Sequence, residues 1–302
     1  MDTGLKRYRL IPEFICYNWM PLISDHILDI PESFYFSAGT SRLHNVDSFN
    51  PYLVQDGDLI FVKTDFIVNG VFVRDFLPKI PPNRIFNLIT GVSSYHLGRD
   101  DEGRYKEIIN HPGLNKWICT NPPNEKNNKF IPIPIGFQEG DRPGGDQKFL
   151  KRIMSGRTDF SKKENKIFLP WHKPSTNPKR QQMIDSLKKL PFVVYQEDKQ
   201  DLEDYYDSMN RYKFIIGLEG SGPDIHRNYE SLLVGSVPIN IKNTIENVFF
   251  FHDAEAIFLN SWNELDEELF NNIIVKHYNT LNNDKFLSCD YHIQKIKNII
   301  GK

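Results

Sequence analysis

The sequence predicts an α/β fold in which two Rossmann-like halves each carry a parallel sheet. Short apolar segments alternate with helix-length segments along the chain, which is typical of βαβ units. A stretch rich in glycine, proline and charge, residues 136–166, interrupts this alternation near the middle. We therefore expect two domains, residues 1–155 and 156–302, with a cleft between the carboxyl ends of their sheets where ligands bind.

The individual elements follow from apolar runs bounded by turn residues. In the first half we expect a helix over 103–110 and strands at 33–36, 58–62, 84–90 and 129–135. Prolines interrupt the last of these, so it should be an edge strand or a short extended segment. In the second half we expect strands at 166–169, 192–195, 214–216, 237–241 and 256–259 and helices at 178–190, 202–209 and 225–234. The tail over 266–300 should be mostly helical, with a turn at 282–284.

Composition and charge narrow the class of protein. Apolar residues make up 39% of the 302 residues and aromatic residues 13%, which is enough for globular cores. The formal net charge is -2, and lysine and arginine form no tract, so no nucleic-acid partner is expected.

The cysteines and the hydropathy pattern indicate a reducing compartment. Cys16, Cys119 and Cys289 are far apart and odd in number, which fits neither a disulfide framework nor a zinc site. Charges and a proline interrupt the N-terminal apolar residues, and no run of about 18 apolar residues follows. We therefore expect a soluble, cytoplasmic protein with no signal peptide and no membrane span.

Residues 213–241 are the most informative segment of the chain. An apolar β-branched run leads into a glycine-rich turn with Gly217, Gly220 and Gly222, and a helix and a second strand follow. Such a βαβ unit directs backbone N–H groups towards a phosphate. Its spacing matches neither GxGxxG nor GxxxxGK[ST], so neither a dinucleotide site nor a P-loop is indicated.

Two charged side chains of the following helix are further candidates for ligand binding. Arg227 and Glu230 are three residues apart and therefore share one helix face. The planar guanidinium of arginine can pair with a diphosphate, and a carboxylate can accept hydrogen bonds from ribose hydroxyls. The alternative is a surface ion pair of little consequence. After a glycine-rich strand exit, the pattern favours a site for a nucleoside-diphosphate sugar.

Several segments, in order along the chain, resemble the exostosin-like glycosyltransferases (family 47 type). The most diagnostic is DYYDSMNRYKFIIGLEGSGPDIHRNYESLLVGSVPIN. Weaker matches are DLIFVKTDFI, NLITGVSS, KWICTNPP followed by KFIPIPIGF, and WHKPSTNPKRQQ. Within NLITGVSS, Ser94 stands where many relatives carry an acid.

The resemblance implies a GT-B architecture and an inverting transfer of a sugar from a nucleotide sugar, with a UDP-sugar favoured, to a hydroxyl of a glycan acceptor. Residues 1–155 would bind the acceptor and residues 156–302 the donor, with the last helix able to pack back on the first domain. No metal cofactor is expected, because Arg227 would take the role that a DxD-bound metal has elsewhere; Mn²⁺ or Mg²⁺ is the alternative.

The expected site residues divide by domain. Asp65, which directly follows a strand, is the first candidate for the general base, and His96 is the second; Asp75 and Glu13 are weaker candidates. Ser93 and Ser94 are candidates for acceptor binding. Asp224 is favoured as a helix cap over a sugar contact. Candidate donor-binding residues are Arg227, Glu230, Gly220, Ser221, Gly222, Asp224, His226, Glu219, Arg180, Lys173 and Asn177.

A second reading of the same pattern is a binding protein that performs no chemistry. A nucleotide-sugar or glycan-binding protein of the same fold would keep Arg227 and Glu230, and Asp65 and His96 would be dispensable. Fold alone does not separate these two readings, because one fold serves many functions.

Overall fold

The computed structural model describes residues 11–16, 19–29, 49–93, 97, 103–138, 142–173, 177–276 and 284–302. The chain divides into two compact units. The first contains the described residues up to Ile135 together with Ser288–Lys302. The second contains Gly136–Gln138 and Arg142–Leu287.

The first unit contains a five-stranded parallel sheet. Its strands, adjacent in chain order, are β1 (His26–Leu28), β2 (Leu59–Lys63), β3 (Phe86–Gly91), β4 (Leu114–Cys119) and β5 (Phe130–Pro132). Every residue of β2 and β3 is buried, which is typical of parallel strands covered on both faces. The helices of this unit are α1 (Thr64–Val68), α2 (Arg104–Ile109) and the C-terminal α10 (Cys289–Ile300).

The second unit contains a second five-stranded parallel sheet. Its strands are β6 (Glu164–Leu169), β7 (Val193–Tyr195), β8 (Tyr212–Ile216), β9 (Val237–Ile241) and β10 (Ile257–Leu259). Their order across the sheet is β10-β9-β8-β6-β7, so the chain moves outward in both directions from β6. Its helices are α3 (Gln147–Ser155), α4 (Arg180–Leu187), α5 (Leu202–Asn210), α6 (His226–Leu233), α7 (Thr244–Phe251), α8 (Glu267–Lys276) and α9 (Asp284–Leu287).

Short turns of tighter or wider helix join these elements. They are 3-10 turns at Met20–Ile23, Pro51–Leu53, Leu77–Lys79, Pro143–Gly145, Phe160–Lys162 and Trp262–Glu264, and a π-helical turn at Phe72–Phe76. Each unit has its own apolar core. In the second unit, for example, the rings of Phe192 and Phe270 stack with centroids 4.4 Å apart.

The predicted α/β class with two parallel sheets is confirmed. The predicted segment at 129–135 is an edge strand, β5, as its prolines indicated. The predicted strand at 33–36 lies outside the described residues, as do residues 282 and 283 of the predicted turn. The prediction omitted β1, β4 and α7, whose short or polar-interrupted sequences carry a weak periodic signal.

Residues 148–166, predicted as part of a connection, form structure instead. Most of α3 lies within them, and its ring at Phe149 packs against Tyr206 with centroids 5.4 Å apart. Arg152 on the same helix pairs with Glu203 on α5. Because these contacts attach α3 to the second unit, that unit begins before residue 156. A helix with one apolar face and many charges is easily mistaken for a linker.

The C-terminal helix α10 is grouped with the first unit. The N–H of Cys289 donates to the carbonyl oxygen of Glu13 at 2.9 Å, and the ring of His292 lies 6.5 Å from that of Trp19. Within the part of the chain that the structure describes, no helix has the length and apolar character to cross a bilayer.

Candidate functional site

The second sheet has a topological switch point between β6 and β8. The chain leaves β6 towards β7 on one side and returns to β8 on the other. Connections therefore diverge above the carboxyl ends of β6 and β8, and in open α/β sheets such a point forms a ligand-binding crevice. Residues after β6 and after β8 are thus the first place to look for a site.

The loop after β8 begins at Gly217, which is held against two buried asparagines. The N–H of Gly217 donates to the carbonyl oxygen of Ile239 at 2.9 Å. A Cβ atom at this position would lie 2.6 Å from Oδ1 of Asn240 and 2.8 Å from Oδ1 of Asn228. Both asparagines are buried and cannot turn outward. Only glycine allows this close approach of strand, helix and loop.

We expect Gly217→Ala to lower the free energy of unfolding by roughly 1–3 kcal/mol, the usual effect of overpacking a filled interior. Urea denaturation measures this change. Gly156→Ala is the matched control, because Gly156 has a φ of -92° and its new Cβ would meet its nearest atom, the carbonyl oxygen of Arg152, at 3.5 Å. Equal stabilities of the two variants would contradict the close-packing argument.

Arg180, at the start of α4, donates hydrogen bonds to the backbone of this loop. Its Nε donates to the carbonyl oxygen of Glu219 at 2.8 Å, and its Nη2 donates to that of Leu218 at 2.9 Å. Its Nη1 donates to the carbonyl oxygen of Lys173 at 3.2 Å. Burial, with a contribution from Arg227, lowers the pKa of Arg180 to about 10, so the guanidinium is charged at neutral pH. The structure therefore gives this candidate phosphate ligand a role in anchoring the loop.

Arg227, in the first turn of α6, is oriented by three partners. Its Nε donates to the hydroxyl oxygen of Tyr205 at 3.0 Å, and its Nη2 donates to the carbonyl oxygen of Trp171 at 3.3 Å. Its Nη1 lies 2.6 Å from Nε2 of His172. The guanidinium also lies over the Tyr205 ring, 5.4 Å from its centroid. Of the five N–H donors of an arginine, two therefore have no partner among the described residues.

His172 is a neutral acceptor in this arrangement. Its Nδ1 lies 2.6 Å from the carbonyl oxygen of Pro170, which can only accept, so Nδ1 carries the proton. The other nitrogen, Nε2, is then free to accept from Arg227. Burial, and after it the charges of Arg227 and Arg180, holds the pKa of His172 well below its ordinary value. The imidazole thus orients the guanidinium without adding a charge.

Tyr205 joins Arg227 to Glu230. Its hydroxyl accepts from Arg227 and donates to Oε2 of Glu230 at 2.5 Å. Burial raises the pKa of Tyr205 above its ordinary value, so the hydroxyl keeps the proton that it donates. Glu230 itself is buried, and its Oε1 accepts no hydrogen bond from the described residues.

The residues Tyr205, Arg227 and Glu230 line a cavity of about 430 Å³. The volume falls in the range of small-molecule sites, and aromatic, amide and charged groups share its wall. The full lining is Gln138, Pro143, Gly144, Trp171, Lys199, Gln200, Asp201, Leu202, Tyr205, Arg227 and Glu230. Of the residues expected to bind the donor, the structure brings Arg227 and Glu230 to this wall.

Three other expected donor residues have partners inside the fold. Glu219 accepts from the side-chain amide of Asn243, the cap of α7. Nδ1 of His226 lies 2.7 Å from the carbonyl oxygen of Gly136. Asp224 accepts from the hydroxyl of Tyr229 at 2.5 Å. The capping position of α6 is Ile225, so the expected side-chain cap at Asp224 was wrong; its carboxylate instead accepts from side chains in the first turn of the helix.

The remaining candidates for donor binding lie in loops outside the cavity. The side chain of Lys173 is exposed, and Oδ1 of Asn177 accepts from the N–H of Lys179 at 3.0 Å beside the start of α4. The N–H of Gly220 donates to the carbonyl oxygen of Gly222 at 3.2 Å, within the turn that contains Ser221. None of these five residues lines the cavity.

In the first unit, Asp65 lies two residues beyond the carboxyl end of β2, at the second position of α1. Its Oδ2 is buried and has no hydrogen-bond partner within the described ranges. Such an oxygen is available to accept a hydrogen bond, since unpaired buried acceptors are unfavourable. Ser93 is buried just after β3, whereas the candidates His96 and Ser94 lie outside the described residues.

Two residues with an unusual backbone conformation also lie beyond the carboxyl ends of strands in this sheet. Val92, between β3 and Ser93, has a φ of 53°, and Asn121, two residues after β4, has a φ of 47°. A positive φ is unusual for a β-branched residue and is often retained at functional sites. Because the strands are parallel, Asp65, Val92 and Asn121 all follow strands at one edge of the sheet.

The sequence reasoning missed the partners that orient Arg227. Trp171 and His172 follow β6, which neighbours β8, so the strand order would have indicated them had it been known. Tyr205 lies on α5 inside the segment DYYD, where an aromatic pair is more typical of a core face. No local pattern distinguishes Tyr205, which contacts the arginine, from Tyr206, which packs in the interior.

Within the described ranges, no group of three or more histidine, cysteine, aspartate and glutamate side chains is arranged to hold a metal ion. Comparison of the chain with models of protein families, and with curated proteins, finds no match.

Proposed function

We propose that the protein is an inverting glycosyltransferase of the GT-B type. It would move a sugar from a nucleoside-diphosphate sugar, with a UDP-sugar favoured, to a hydroxyl of a glycan acceptor. The second unit would bind the donor and the first unit the acceptor. The proposal rests on one observation: Arg227 and Glu230, which the sequence pairs on a helix after a glycine-rich turn, share the wall of a cavity.

The environment of Arg227 supports a role in binding the diphosphate. Three of its donors hold the side chain in place, and two have no partner in the described part of the chain. Negative charge builds on the diphosphate as the sugar leaves, and a fixed guanidinium stabilises that charge without reorganising. A planar fork also matches phosphate oxygens better than an ammonium does.

Glu230 and Trp171 suit the nucleoside. Oε1 of Glu230 has no described donor and can accept from a ribose hydroxyl, while Oε2 is held by Tyr205. Trp171 provides an indole surface in the same wall, on which a base can stack. One cavity thus offers a separate partner for each part of a nucleoside diphosphate.

Asp65 is the proposed general base. In the transfer, the acceptor oxygen forms a bond to the anomeric carbon while the bond from that carbon to the diphosphate breaks, and the leaving diphosphate takes the electron pair. The acceptor proton passes to the carboxylate of Asp65. Its unpartnered Oδ2 and its position at the carboxyl end of β2 support this role.

A nucleotide screen tests the donor half of the proposal. The protein is incubated with UDP, GDP and their sugars, and thermal unfolding is followed at several ligand concentrations. A ligand at 100 times its dissociation constant should add about 2.7 kcal/mol to the stability of the folded state. Failure of every nucleoside diphosphate to stabilise the protein would overturn the proposal.

For Asp65→Asn, we expect unchanged nucleotide binding and a fall in transfer rate of roughly 10²–10⁴-fold, the usual contribution of a general base. Release of nucleoside diphosphate from the sugar donor, with an acceptor present, measures the rate. Asp56→Asn is the control: this exposed aspartate, in the same unit, lies in the turn before β2 and pairs with Arg84.

Two outcomes would change the conclusion. Normal transfer by Asp65→Asn would assign the base to another residue. A wild-type protein that binds nucleotide sugars but neither transfers nor hydrolyses them, across a panel of glycan acceptors, would instead identify a non-catalytic binding protein of the same fold.

A further inference from the structure

We propose that Tyr205 is a positioning residue that keeps Arg227 and Glu230 from pairing with each other. This inference rests on the proposed function, because it concerns the diphosphate that Arg227 would bind. It assigns a role to a side chain whose local sequence carried no functional signal.

Arg227 and Glu230 are close in sequence yet do not pair with each other. They are three residues apart on α6, a spacing at which opposite charges ordinarily meet. The described ion pairs include none between them. The hydroxyl of Tyr205 stands between the two groups instead, accepting from Nε of Arg227 and donating to Oε2 of Glu230.

The hydroxyl of Tyr205 contacts both charged groups and keeps them apart. It satisfies one oxygen of Glu230 at 2.5 Å and one nitrogen of Arg227 at 3.0 Å. Neither charge is neutralised by contact with the other. The guanidinium therefore keeps its attraction for an anionic ligand, and the carboxylate keeps an oxygen for a hydroxyl donor.

The variant Tyr205→Phe loses the hydroxyl alone. In Tyr205→Phe the ring remains beneath the guanidinium, so packing and the cation–π contact are kept. The polar groups of Arg227 and Glu230 lose their shared partner in a partly buried wall, where unpaired charges are unfavourable. We expect the two side chains to form a direct ion pair, which would compete with any bound anion.

Inorganic pyrophosphate is the probe that isolates this effect, since it has no ribose and therefore should not use Glu230. Its affinity and that of UDP and GDP are measured by calorimetry. For Tyr205→Phe we expect an affinity for pyrophosphate about 10- to 100-fold lower, in line with losing one to two hydrogen bonds to a charged group. Thermal stability without ligand should change little.

Two further variants make the test specific. Tyr206→Phe is the matched control: it lies on the same helix, is buried, and its hydroxyl has no hydrogen-bond partner among the residues that the structure describes, so pyrophosphate affinity should be unchanged. The double variant Tyr205→Phe with Glu230→Gln removes the competing charge. It should recover most of the pyrophosphate affinity, which a merely structural role of Tyr205 would not produce.

The outcomes separate the two proposals. Wild-type protein that binds neither pyrophosphate nor a nucleoside diphosphate overturns the proposed function and, with it, this inference. Wild-type protein that binds while Tyr205→Phe binds equally well overturns the inference alone. A defect in Tyr205→Phe that Glu230→Gln does not relieve also overturns it, because the competing ion pair would then not be the cause.

Discussion

Replacing Arg227 with alanine is expected to remove nearly all of the stabilisation that a nucleoside diphosphate gives to the protein. Two N–H donors are available to the ligand, and hydrogen bonds to charged groups contribute about 1.5–3 kcal/mol each. A loss near 2.7 kcal/mol corresponds to about a 100-fold weaker affinity. At a ligand concentration that stabilises the wild type by about 2.7 kcal/mol, the variant would gain only about 0.4 kcal/mol.

Two other variants sharpen this experiment. Arg211→Ala removes an exposed arginine shortly before β8 and should leave ligand stabilisation unchanged. Arg227→Lys keeps the positive charge but loses the planar fork, so its affinity should lie between those of the wild type and the alanine variant. Thermal unfolding with and without UDP or GDP measures all three. Ligand stabilisation of Arg227→Ala equal to that of the wild type would remove this residue from the site.

Replacing Arg180 with methionine is expected to destabilise the second unit more than any other single change considered. Methionine keeps much of the aliphatic stem but leaves the carbonyl oxygens of Lys173, Leu218 and Glu219 without their donor. A buried acceptor that loses its partner is unfavourable by about 1–3 kcal/mol. Three such losses, partly relieved by solvent, predict a fall in the free energy of unfolding of about 3 kcal/mol or more.

Urea denaturation of Lys179→Met controls for this measurement, because Lys179 is the adjacent residue and is exposed. It should unfold like the wild type. If Arg180→Met were as stable as Lys179→Met, the guanidinium could not be what holds the loop after β8. A ligand-binding defect without loss of stability would return Arg180 to the role first expected from the sequence, that of a phosphate ligand.

Local patterns were sufficient for much of the fold. The strands β2, β3, β6, β8 and β9 follow from apolar, β-branched runs that are long enough to be recognised without their neighbours. The helix α6 follows from its position between a glycine-rich turn and Gly235, which has a φ of 73°. By contrast, the three-residue strand β1 was not predicted, and α3 is so rich in charge that it resembled a linker.

In the candidate site, too, some side chains were identified from the sequence and others were not. Arg227 and Glu230 were identified because three residues on a helix define a shared face. Arg180 was also identified, but its role changed from ligand contact to loop anchor, because its partners are carbonyl groups far away in sequence. Trp171 and His172, in the loop after β6, and Tyr205, on α5, were missed because both segments are far in sequence from Arg227.

By itself, the sequence determined the α/β class, the two parallel sheets and the helix face that carries Arg227 and Glu230. These features depend on periodicity and on turns, which act over a few neighbouring residues. The strand order, the anchoring of the loop by Arg180 and the hydroxyl of Tyr205 between two opposite charges were decided only by the tertiary structure. Each of these requires residues far apart in the chain to meet, and no local pattern specifies such a meeting.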